Sequence, residues 1–447
     1  MKAADLINGS GISRLQLAVL AYCLLIVTLD GFDTASVGYL ASSLRAEWAM
    51  QTASMGNIFG AGLLGLMIGC FLFGPVADRI GRKRVLIASV VFFGCGSVAS
   101  AFAQSPEQMA VLRLLTGLGL GGAMPNAITL SSEYSPARLR SLLVTTTFCG
   151  FTLGFAVGGW VVAWLLPIIG WRGVLLAGGL APLMLVPLLL VYLPESLDYL
   201  LANGRRAGEA LRIAKKIRPD ITAIAAQDNA GPRALIPVRG LLAGDVRSGT
   251  VLLWLSYFCT LFAFYLLSSW LPLALKDSGY SIAEAARLGA MLPLGGTVGA
   301  VVIGYWMDRR NPYLVLACSY LIAATSLLLL GWSAHDPVLL HIVVFGAGLG
   351  VAGSQTGANA LTACFYRSDV RATGVSWALG MGRVGSILGA MVGGVLLAAL
   401  GDMSTVFGMV AIPVFLAAML MLLMRSLQAR RQAGVLEPLE LGATDHR

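Results

Sequence analysis

The 447-residue chain is 57% hydrophobic and only 12% charged, with a mean hydropathy of +0.81, more apolar surface than one soluble core of this size can bury. What remains is a polytopic membrane protein, and apolar runs of roughly 20 residues, without the alternation of barrel strands, make its crossings helical. The net charge of +9 sits in alternate loops and the tail, so it is a topology signal and argues against nucleic acid as a partner.

Twelve spans are predicted in two sets of six, near residues 15–40, 54–76, 85–103, 107–131, 141–166 and 172–193, then 250–275, 284–306, 313–333, 337–363, 373–400 and 404–424. The expected fold is therefore an all-α membrane protein of two pseudo-symmetric six-helix bundles. It divides into an N-terminal bundle over 1–194, a linker over 195–248 with a surface helix near 208–217, a C-terminal bundle over 249–424 and a tail over 425–447. The first span is too long and too acidic at its outer end for a cleavable signal, so it is expected to be retained. It carries Asp30 and Asp33, spaced i, i+3 on one helix face. An ionised carboxylate in hydrocarbon costs at least ~3 kcal/mol, so the pair marks a proton, ion or substrate pathway and should face protein or water.

After the second span comes Gly74-Pro-Val-Ala-Asp78-Arg79-Ile-Gly81-Arg82-Lys83-Arg84. It reads as a loop in which Gly74 permits close helix approach, Asp78 accepts hydrogen bonds at the next helix start, and the basic run anchors at the anionic surface. The basic residues here, at Arg138 and Arg140, in the linker, at Arg309 and Arg310, at Arg367 and Arg371 and in the tail place both termini and the linker in the cytoplasm. Landmarks recur at an offset of about 230 residues: Gly74, Asp78 and Arg79 match Gly304, Asp308 and Arg309, and Pro125-Asn126 of the fourth span matches Gln355-Thr356 of the tenth. Polar positions so repeated suit either a binding site near the midplane or interhelical hydrogen bonds. The seven cysteines all lie in or beside apolar spans without a C-x-x-C pair, and the three histidines lack ligand spacing. Neither a metal nor a cofactor is expected. Without a nucleotide loop or nucleophile constellation, an enzyme is not expected either.

The run from Gly74 to Arg84 resembles the G-x-x-x-D-R-x-G-R-[RK]-[RK] signature of the major facilitator superfamily, with a degenerate copy at Gly304 to Arg310. Arg113-Leu-Leu-Thr-Gly117-Leu-Gly119 is similar to that superfamily's R-x-x-x-G-x-G pattern, and Pro194-Glu195-Ser196 to its P-E-S ending of the sixth span. Asp30-Gly31-Phe32-Asp33-Thr34, together with Arg371-Ala-Thr-Gly374-Val-Ser-Trp377 and Gly382-Arg383-Val-Gly385, resembles the aromatic acid:proton symporters. Ser132-Glu133-Tyr134-Ser135-Pro136 and Ser269-Trp270-Leu271-Pro272 are most like carriers of 4-hydroxybenzoate and protocatechuate. Gly150, Gly154 and Gly158 form a ladder like that of drug exporters but without its proline, and helix packing accounts for it.

Depth along the helices adds geometry. Counting from Ala41 and Pro106 at 1.5 Å per residue, Asp33 lies roughly 12 Å and Arg113 roughly 10 Å below the outer surface. The resemblance places spans one and four side by side, so Arg113 is expected to pair with one of the aspartates. Arg383 falls about 18 Å from the cytoplasmic end of span eleven, where its guanidinium suits a substrate carboxylate or a neutralising role toward Asp30. The resemblance thus implies a monomeric inner-membrane carrier that couples an aromatic acid to a proton. Asp30 and Asp33 would couple the proton, Arg113, Arg383, Asn126 and Gln355 would bind substrate, and Gly74, Asp78, Arg79, Gly81, Arg82, Asp308, Arg309 and Arg371 would gate a rocking of the two halves. Tyr257, Phe264, Tyr265, Trp270 and Trp377 are available as ring walls. A proton-coupled exporter, a receptor, or a carrier of muconate or hydroxyphenylpropionate are the alternatives.

Overall fold

The computed structural model describes residues 7, 12–202, 207–218, 242, 247–366, 371–400 and 403–440. Apart from one 3-10 turn at Trp332–His335, the regular elements among them are α-helices. In chain order they are α1 (Arg14–Glu47), α2 (Thr52–Ile80), α3 (Arg82–Ser100), α4 (Pro106–Tyr134), α5 (Arg140–Tyr192), α6 (Leu197–Ala202), α7 (Ala207–Ile217), α8 (Arg247–Asp277), α9 (Ile282–Met307), α10 (Pro312–Leu330), α11 (Pro337–Phe365), α12 (Arg371–Leu400) and α13 (Met403–Glu440).

Ten of these are long and apolar enough to cross a membrane. One of the ten, α5, carries two predicted spans whose legs meet at Gly170, with φ 67° and ψ 177°, a backbone conformation that glycine adopts without a Cβ penalty. The fourth predicted span is α4, which is not among the ten because Arg113, Asn126 and a run of glycines dilute its apolar residues. With α4 and both legs of α5, the twelve expected segments are accounted for, and the protein is multi-pass. The surface helix expected in the linker is α7.

Two local expectations change. Helix α2 continues to Ile80, so Gly74, Asp78 and Arg79 lie on a helix and not in a loop. Its 29 residues reach about 43 Å, beyond ~30 Å of hydrocarbon, so the last turns stand where water can solvate Asp78 and Arg79. The chain breaks only at Gly81, with φ 103°, where a Cβ would also collide with the Glu195 carboxylate. Asp78 does not cap α3 either; Glu195 does so from the end of α5, its Oε1 accepting from Lys83 N at 2.9 Å. Among the described residues, no atom lies near a Cβ built at Gly74, so the close approach expected there is not seen in this structure.

The chain forms two compact units. The first holds the described residues of 1–234 together with 268–290 and 390–398. Here α2 and α3 pack along α4 and α1 along α5, burying Val19, Ile26, Leu40, Met55, Phe93 and Leu130. The last turns of α8 join this unit: Trp270 Nε1 donates to the Ala390 carbonyl at 2.7 Å, its ring stands edge-on to Phe59 at 5.0 Å, and Arg45 forks onto Asp277. The second unit holds the described residues of 235–267, 291–389 and 399–447. Within it α10 packs on α11 and α13, with Tyr257, Tyr320 and Phe407 fully buried.

Candidate functional site

In the first unit the polar centre is built where α1 meets α4. Helix α4 starts at Ser105, whose side chain accepts from Gln108 N, and Pro106 follows at the first helical position. That start carries Arg113 two turns inward, where it is buried with Asp33. Arg113 Nη1 donates to Asp33 Oδ2 at 3.2 Å, so the structure brings together the pair that depth counting selects. Arg113 Nη2 donates to Ser100 Oγ at 3.0 Å and Thr116 Oγ1 at 3.3 Å. Both hydroxyls commit their own protons to carbonyls four residues back, Gly96 and Leu112, so each presents a lone pair to the guanidinium. Asp33 Oδ1 is buried and has no hydrogen-bond partner among the described residues. Asp30, fully buried one turn earlier, accepts from Thr34 Oγ1 at 3.3 Å. Asn126 is buried as well, but its amide turns back to the Gly122 carbonyl at 2.7 Å.

The second unit has its own polar chain between α8 and α11. Tyr257 Oη donates to Asn359 Oδ1 at 2.8 Å and lies 3.1 Å from Thr362 Oγ1, and Gln355 Nε2 donates to the same Asn359 oxygen at 3.2 Å. On α12, Arg383 is partly exposed and its Nη1 donates to Tyr265 Oη at 3.4 Å. Trp254 stacks on Trp377 with ring centres 5.6 Å apart, an aromatic surface beside Tyr257.

At the other end of the first unit, Arg82 pairs with Glu133 and, at 3.6 Å, with Asp78. Burial pushes the Glu133 carboxyl up to about 7, against Arg82, which draws it down. Glu195 Oε1 also accepts from Ser196 N at 3.0 Å, Tyr134 Oη donates to the Glu195 carbonyl at 2.7 Å, and Tyr199 Oη donates to the Arg79 carbonyl at 3.2 Å. These bonds tie the end of α2 to α4, α5 and α6. In the second unit Asp308 follows α9 on the surface and Arg309 lies over the Tyr305 ring, 3.5 Å from its centre. Arg371 opens α12, and its side chain lies outside the described residues.

Sequence reasoning misses several of these partners. Thr116 is legible as the i+3 neighbour of Arg113 and Asn359 as the i+4 neighbour of Gln355. Ser100 and the pairing of Glu133 with Arg82 depend on how helices lie side by side, which no local spacing encodes.

Comparison with known proteins agrees with this architecture. The family model described as Major Facilitator Superfamily matches residues 23–324 and 253–441. A protein named 4-hydroxybenzoate transporter PcaK from Pseudomonas aeruginosa is 44% identical over 432 residues, covering 96% of each chain. A gallate transporter of Pseudomonas putida is 42% identical over 427 residues, 94% of each. Among solved structures, the nucleoside transporter NupG superposes with a TM-score of 0.71 at 18% identity, over 92% of this chain and 100% of that one. The last is a likeness of fold alone; with the family match and the relatives, it follows that this chain belongs to the major facilitator superfamily of membrane transporters.

Proposed function

We propose that this protein imports aromatic carboxylic acids of the 4-hydroxybenzoate and protocatechuate class together with protons, as a monomer in the bacterial inner membrane with both termini cytoplasmic. The relatives named for 4-hydroxybenzoate and gallate support the substrate class. The observation that carries the coupling is the buried Asp33–Arg113 pair, in which one carboxylate oxygen has no partner among the described residues.

A paired guanidinium and carboxylate are tolerable in an apolar interior; either one alone is not. A substrate carboxylate that takes Arg113 leaves Asp33 as an isolated buried charge, and a proton on its free oxygen removes that charge. Anion and proton therefore enter as a neutral sum. Asp30, held by Thr34, is the second carboxylate of this pathway. Arg383 offers the substrate a second forked donor, and Asn126 and Gln355 supply neutral polar contacts. The segments holding Gly74, Asp78, Arg79, Gly81, Arg82, Asp308, Arg309 and Arg371 act as the gate of an alternating-access cycle.

Uptake of labelled 4-hydroxybenzoate into proteoliposomes with an acidic exterior tests the reading. Accumulation above equilibrium, collapsed by a protonophore, is expected for the wild type, and its loss for Asp33→Asn and Asp30→Asn. Undiminished gradient-driven accumulation in both variants would sink the coupling role.

A further inference from the structure

Among the described residues, the polar chain of α11 ends without a partner. Thr362 gives its proton to the Ala358 carbonyl at 2.7 Å and so can only accept; the single Tyr257 hydroxyl proton is shared between Thr362 Oγ1 and Asn359 Oδ1, and Gln355 Nε2 donates to that same Asn359 oxygen. The remaining carboxamide atom, Gln355 Oε1, is buried with no hydrogen-bond partner among the described residues, on a side chain only 8% exposed. A buried carboxamide end left unbonded is destabilising, and packing alone gives no reason to keep it. Asn359, one turn further along α11, is only partly buried, so the chain of bonds is not closed off within the helix packing.

The chemistry of the missing partner follows from the chain. The two amides can be turned together, with Asn359 donating to both Tyr257 and Gln355, and the free end of Gln355 is then an N–H. A phenolic hydroxyl both donates and accepts, so it completes the chain in either sense. A ring C–H completes it in neither. A carboxylate carries a charge that the neutral chain does not balance, whereas Arg383 in the same unit does.

We propose that Gln355, oriented by Asn359 and Tyr257, hydrogen-bonds a ring hydroxyl of the substrate and so sets the preference for hydroxybenzoates over benzoate. This rests on the transport reading above and names its specificity residue. The test is equilibrium binding of 4-hydroxybenzoate and of benzoate to purified wild type, Gln355→Met and Gln355→Asn. Methionine keeps length and volume without the polar end; asparagine keeps the amide but withdraws it by one methylene.

Wild type is expected to favour 4-hydroxybenzoate. Gln355→Met is expected to shrink that preference about tenfold, with 4-hydroxybenzoate binding falling far more than benzoate binding, the fold being checked separately by the melting temperature in detergent. Gln355→Asn is expected to shift the ratio the same way by less. A wild type without preference, or a ratio unmoved or both ligands lost equally in both variants, overturns the role of Gln355. A wild type that binds neither acid overturns the transport reading itself.

Discussion

Arg113 has three acceptors arranged around one planar fork: Asp33, Ser100 and Thr116. A lysine would keep the charge but reach them from a single point, so Arg113→Lys is expected to fold and to lose pH-driven uptake by at least about tenfold. Full uptake by that variant would remove the fork from the mechanism. Of this centre, the two aspartates, the arginine and their pairing are legible, because helix rise converts residue number into depth and hydrocarbon makes any charge conspicuous. Asn126 shows where legibility stops. Its place opposite Gln355 in the repeat is plain, and both amides bond one turn along their own helix. Asn126, however, ends on the backbone carbonyl of Gly122 while Gln355 meets the Asn359 side chain, which Tyr257 of another helix also reaches, a junction that helix spacing alone does not announce.

At the level of elements, the segment from Gly74 to Arg84 is the most instructive. Its glycines, proline and charges look like a loop, but α2 runs through to Ile80 because a helix longer than the hydrocarbon can end in water. The helix stop is Gly81, and the cap of α3 comes from Glu195, more than a hundred residues away. Beside it, Glu133 is a carboxyl that burial raises to about 7 and Arg82 stabilises in its charged form. A carboxyl raised on folding binds its proton more tightly in the folded state, so its cost to stability appears as pH rises above the unfolded value, 4.5, and is fully developed beyond about 7. Arg82→Ala removes the compensating charge. It is expected to lower the melting temperature in detergent, and more at pH 8 than at pH 6, where Glu133 can remain protonated. An equal loss at both pH values would show that the pair does not work through charge.

For the whole molecule, helical class, segment count and the duplicated pattern are legible because the bilayer demands long apolar helices and the repeat is written in charged landmarks. What is not legible is compactness: the described residues of 268–290 and 390–398 cluster with the first unit, through contacts such as Trp270 with Phe59 and Arg45 with Asp277 that no periodicity announces. Orientation rests on the positive loops alone. In a variant lacking the seven native cysteines, Gln104→Cys is expected to react with an impermeant maleimide on intact cells, and Arg212→Cys only after lysis; the reverse pattern would invert the topology. If protons cross with the aromatic anion by way of Asp33, as proposed, lumenal pH and labelled 4-hydroxybenzoate uptake recorded in the same proteoliposomes, against protein-free liposomes, must move together. Acidification that tracks uptake in the wild type and vanishes with Asp33→Asn is the expected result, whereas substrate-linked acidification that persists undiminished in Asp33→Asn would contradict it.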